Sequence, residues 1–122
     1  MPHFVVLIHG GPSEPSPDDL AAHDRDASDL IDSGALVAAF AFGPASDVVR
    51  IDGDGPAPGG ATATALDGIG VIEAPDLDAA VAIARRNPAT ELGGFVEVRP
   101  VAGSWTRGGG PASGSAPGVP TT

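Results

Sequence analysis

The sequence predicts an α+β domain with a ferredoxin-like β-α-β-β-α-β order and one extra hairpin strand. Three observations carry this. Short β-branched, apolar runs recur at 3–9, 35–42, 68–74 and 94–101. Two helix patterns with strong start and stop signals lie between them, and 122 residues leave room for one compact domain.

The first strand, 3–9, runs His3 through His9 around Phe4, Val5, Val6, Leu7 and Ile8, and Gly10, Gly11 and Pro12 stop it. A helix follows. Ser16 supplies the N-cap, Pro17 occupies the first helical position, and Asp18 and Asp19 place negative charge where the helix dipole favours it. Gly34 is a natural residue to end this helix. Leu20, His23, Ala27, Leu30 and Ile31 share one stripe at helical spacing, whereas Asp24, Arg25, Asp29 and Asp32 mostly fall off it.

Residues 35–42 form a continuously apolar second strand closed by Gly43 and Pro44. Residues 47–52 read as a short strand that pairs back on it as a hairpin, followed by a long Gly/Pro-rich loop over 53–65. Ile69, Val71 and Ile72 mark the next strand. Asp76 then caps a second helix with Leu77, Ala80, Val81 and Ala84 on its apolar face, Arg85 and Arg86 in its last turn, and Asn87-Pro88 as its stop. Residues 94–101, with Phe95, Val96, Glu97, Val98 and Arg99, close the domain. The domain spans 1–102, and 103–122 is a Gly/Pro/Ser-rich tail that cannot repay its ordering entropy by burial.

Sixteen acids oppose six bases, all arginine, for a formal charge of −10. Such a surface offers no basic patch for nucleic acid or an anionic membrane. Cysteine is absent, which removes disulfides, thiolate metal sites and a cysteine nucleophile. The start of the chain lacks a basic region and a long apolar run, so the expectation is a cytoplasmic protein. Hydrophobic residues make up 42% of the chain but aromatic ones only 4%, so the core must be built from small side chains. Two helices cover one face of such a sheet. The first two strands are nevertheless apolar on both faces, which points to a homodimer that covers the second face with another copy.

His23 is the leading candidate for chemistry, because it sits on the inward stripe and imidazole titrates near neutral pH. Asp19, one turn earlier, can orient it. His3 and His9 alternate onto one face of the first strand, and Glu97 and Arg99 share a face of the last, so the four form a candidate substrate-binding set. A shared metal is not expected, because His3 and His9 stand about 20 Å apart along a strand. The dinucleotide fingerprint, the phosphate loop and the serine-hydrolase elbow are all missing, and no cofactor is expected.

The stretch Gly68 to Ala80, a strand running into an Asp-capped helix, resembles a junction of the YCII-related family, and Phe95 to Val101 resembles that family's closing strand. Asp54-Gly55-Pro56 stands where one branch carries an Asp-Gly-Pro-Phe motif, with Ala57 in place of its Phe. The resemblance implies a dimeric α+β barrel. It also implies a His and Asp pair near the first helix, which maps onto His23 and Asp32. Two functions stay open. One is lyase- or isomerase-type proton abstraction from a small molecule, with His23 as base, Asp32 or Asp19 as orienter and Arg99 as anchor for an anion. The other is a non-catalytic ligand-binding or regulatory homodimer.

Overall fold

The computed structural model describes residues 1–10, 16–58 and 66–107. The expected turn at 11–12, part of the expected loop (59–65) and most of the expected tail (108–122) lie outside the described residues. The elements are β1 (His3–His9), α1 (Pro17–Asp32), β2 (Leu36–Ala41), β3 (Val49–Asp52), β4 (Gly55–Pro58), β5 (Leu66–Glu73), α2 (Leu77–Ala84) and β6 (Phe95–Pro100), with 3-10 turns at Ala45–Asp47 and Pro88–Thr90.

Four strands form one antiparallel sheet in the order β2-β5-β1-β6, while β3 and β4 pair only with each other. Two expectations are thereby corrected. The short strand after β2 does not pair back on it. It turns away through Gly43, Pro44 and the 3-10 turn, and its partner β4 lies in what the sequence marks as loop. Pro56 and Pro58 give β4 no backbone N–H at those positions, which stops the small sheet from growing. The barrel is likewise not formed. Among the described residues, β2 and β6 are edges of an open sheet with one neighbour each, and no strand joins them. Among the described residues the fold is α+β with two helices and two separate sheets.

Local chemistry fixes the helices. In α1, Ser16 Oγ accepts from the Asp19 N–H at 3.1 Å while the Asp19 carboxylate accepts from the Ser16 N–H at 2.9 Å, a reciprocal capping box. The helix ends in a Schellman arrangement, with Ala35 N–H donating to Leu30 O and Gly34 N–H to Ile31 O, around a Gly34 φ of 80°. Asp76 caps α2 by accepting from the Ala79 N–H at 2.8 Å. This helix stops at Ala84, so Arg85 is its C-cap and Arg86 lies beyond it rather than in its last turn.

The core lies between α2 and the β1-β5 centre of the sheet. Phe4, Val6, Ile72, Ala74, Ala80 and Ala84 are buried together, and Ile8, Leu36, Ile83, Val96 and Val98 border them. On this face Phe4 opposes Ile72, Val6 opposes Gly70 and Ile8 opposes Gly68. The other helix is held differently. α1 meets β2 and the 88–90 turn, and Leu30 is its one buried residue. Under it the sheet presents Gly68, Gly70, Ala39 and Ala41, residues with too little side chain to fill the space. An open cavity results.

Candidate functional site

The cavity between α1 and the sheet measures about 1190 Å³, somewhat larger than the roughly 300–1,000 Å³ typical of small-molecule sites. Its floor is the glycine and alanine surface of β5 and β2, with Val6, Ile8 and Ile72 beside it. Ile83, Ala84 and Ala89 form the wall below α2. Gly68 is required there: a Cβ on it would stand 2.6 Å from the Phe40 carbonyl oxygen, so the close approach of β2 to β5 depends on the missing side chain.

From α1 the cavity receives Leu20, Ala27 and Leu30 together with Asp19, His23, Asp24 and Asp26. Helical spacing explains the polar set, because Asp19, His23 and Asp26 follow one another by one turn along the inward stripe. Burial raises the Asp26 carboxyl above the ordinary aspartate range. Arg86 and His23 oppose that shift, and the Asp29 charge adds to it. Asp26 and Asp24 are site residues that the sequence reading missed. The signal for Asp26 was its position one turn after His23.

Asp32, the partner implied by the family resemblance, does not line the cavity. It is exposed at the last position of an uninterrupted α1, about 13 Å along the axis from His23. Asp19 does line it, while also closing the capping box.

The remaining expected site residues lie on the opposite face of the sheet. His3, Val5, Leu7 and His9 alternate with the core residues of β1, and Glu97 and Arg99 alternate with Val96 and Val98 on β6. His3 Nε2 is 2.8 Å from Glu73 Oε1. His9 Nε2 is 2.6 Å from Glu97 Oε1, a close approach whose angle falls outside hydrogen-bond geometry. The His9 ring stacks on Phe95 with centroids 4.7 Å apart and planes 12° from parallel. Arg99 is exposed opposite Val5. The structure therefore separates His23 and Asp19 from His3, His9, Glu97 and Arg99 by the thickness of the sheet. Glu73, the partner of His3, is a further residue that the sequence reading missed.

Among the described residues no group of three His, Cys, Asp or Glu could hold a metal ion, and no helix is long and apolar enough to cross a membrane.

A family model described as the YCII-related domain matches residues 3–105. The chain belongs to the YCII-related family. The match takes in every strand and helix of the YCII-related domain, including the β3-β4 hairpin and both walls of the cavity. No curated protein matches the chain.

Proposed function

We propose that this YCII-related domain binds a small molecule in the cavity under α1 and removes a proton from it, with His23 as the base. The observation that carries this reading is the position of His23, on the wall of an apolar cavity of about 1190 Å³ and flanked on its own helix stripe by Asp19 and Asp26. Imidazole is the side chain best matched to proton transfer near neutral pH. Asp19, one turn before it, is the orienting carboxylate. Asp32 is too far along the helix to fill that role. The reaction is of the lyase or isomerase type: a C–H bond beside a carbonyl breaks, its proton passes to the imidazole, and its electron pair moves toward the carbonyl oxygen.

Cyclohexanone in D2O tests the step. The expected result is faster deuterium incorporation at its α-carbons with the protein than in buffer, and return to the buffer rate with His23→Gln. Equal exchange by the wild type and His23→Gln overturns the assignment.

A second reading, binding without turnover, has one specific observation in its favour. Arg99, the anchor expected for an anion, faces away from the cavity, so it is not placed to steady an oxyanion there.

Self-association belongs to the same proposal. The helix-free face carries Val5, Leu7, Ile69 and Val71 between Phe40, 57% exposed, and Phe95, 56% exposed. A second copy would remove this apolar surface from water. Light scattering at micromolar concentration is expected to give twice the monomer mass, and a monomer mass with Phe40→Ser. A monomer mass for the unaltered chain overturns the pairing.

A further inference from the structure

The chain contains no lysine, so its six arginines are its whole stock of permanent side-chain cations. All six lie in the described residues, and each is exposed. Arg25 is on α1, Arg50 on β3, Arg85 and Arg86 follow α2, Arg99 is on the far face of the sheet, and Arg107 follows β6. None of them lines the cavity under α1, whereas Asp19, Asp24 and Asp26 of α1 and Asp67 of β5 do. The apolar volume makes the site, and its charge decides what enters.

We infer that this cavity selects a small apolar amine in its protonated form and rejects carboxylates and phosphates of the same size. The inference rests on the cavity being the ligand site proposed above. Its physics is direct. An anion entering this open cavity would meet lining carboxylates that repel it and no guanidinium in the lining itself, while Arg86, outside that lining, acts on Asp26. An ammonium would lay its hydrocarbon body on Gly68, Gly70, Ala39 and Ala41 and turn its head toward α1. Asp26 fits this use, since its carboxyl is partly desolvated and Arg86 offsets that burial incompletely. A ligand cation would supply the missing compensation. The substrate carbonyl of the proposed reaction would then belong to an amino-bearing molecule, with the ammonium held by α1 carboxylates and the acidic C–H turned to His23.

Three probes of matched shape test this on the full chain: benzylammonium, benzyl alcohol and benzoate. Binding is read from amide shifts of Gly68, Gly70 and Ala39 in 15N spectra at pH 7. Benzylammonium is expected to bind tightest, benzyl alcohol more weakly, and benzoate not measurably. Asp26→Asn is expected to weaken benzylammonium about two- to fivefold, the size of a partly exposed ion pair, and to leave benzyl alcohol unchanged. Asp24→Asn, at an exposed position, gives a second variant that keeps the interior intact. Benzoate binding as tightly as benzylammonium overturns the charge selection while leaving the cavity as a ligand site. Failure of all three probes to move those amides overturns the cavity reading itself, and this inference with it. Equal losses for benzylammonium and benzyl alcohol in both variants overturn the role given to the carboxylates.

Discussion

His3 and Glu73 stand directly opposite each other on β1 and β5, and their side chains meet at 2.8 Å with the histidine only 8% exposed. The pair ties the start of the first strand to the end of the fifth, next to the junction into α2. A buried imidazole deprived of its acceptor keeps its desolvation cost and loses its compensation. Glu73→Ala is therefore expected to destabilise the domain by about 1–3 kcal/mol in urea unfolding at pH 7, and Glu73→Gln, which retains an acceptor oxygen, by less. Equal stability of Glu73→Ala and the unaltered chain would show that the contact contributes nothing.

Two glycines on the cavity floor, Gly68 and Gly70, two residues apart on β5, are expected to respond in opposite directions. A Cβ at Gly68 meets the Phe40 carbonyl oxygen at 2.6 Å, and that oxygen belongs to backbone which cannot swing aside. Gly68→Ala must part β2 from β5 and is expected to cost about 1–3 kcal/mol. At Gly70 the nearest atom is Leu36 Cδ1 at 3.7 Å, an ordinary contact. Gly70→Ala is expected to stabilise by about 0.4–1 kcal/mol, through the reduced freedom of the unfolded chain. Thermal melts of the two variants check the contrast, and a loss at both positions would mean that the floor has no spare room.

Asp26 makes stability fall with rising pH over one window. Its folded pKa lies above the ordinary 3.8, because burial outweighs the Arg86 and His23 charges. Between the unfolded and folded values the folded chain holds more proton, so its stability contribution is complete below the unfolded value and is lost as pH climbs through the folded one. Asp26→Asn has no charged form to bury. It is expected to be more stable than the unaltered chain at pH 7 and to lose that advantage near pH 3.5. Denaturant midpoints at the two values decide it, and a constant difference between variant and parent would remove Asp26 as the cause.

Both helix starts were legible because caps are local: Ser16, Pro17 and Asp19, or Asp76 three residues before Ala79, state their role within one turn. The β3-β4 hairpin was not legible in the same way. Pro56 and Pro58 look like loop, and only the register with Val49 and Ile51 makes them a strand. The expected barrel and back-paired strand failed for the same reason, since edge pairing is decided between distant segments. Alternation placed His3 with His9, and Glu97 with Arg99, on common faces. It could not tell which side of the sheet α1 would cover, so the division of those four from His23 emerges only with the fold. Asp26 was passed over because a polar residue near an acidic stripe reads as wet surface, whereas the small residues of β5 and β2 leave α1 standing off the sheet and turn part of that surface inward.

That standing-off makes the α1 cap matter to the site. Leu30, near the far end, is the one buried residue of the helix, so little apolar contact holds its first turns. The reciprocal hydrogen bonds of Ser16 and Asp19, at 3.1 and 2.9 Å, are the described contacts that fix the N-terminal end from which Asp19 and His23 project. Ser16→Ala removes one of the two bonds and is expected to cost about 1 kcal/mol of stability. Because α2 and the sheet share the main core without α1, the loss should be felt locally. Amides over 17–24 are expected to exchange with solvent faster in the variant, while those of β1 and β5 keep their protection. The same fraying would displace His23, so deuterium incorporation into cyclohexanone should fall with it. Uniform acceleration of exchange through the sheet would mean that α1 and the core unfold as one unit, and that the helix is held by more than its cap.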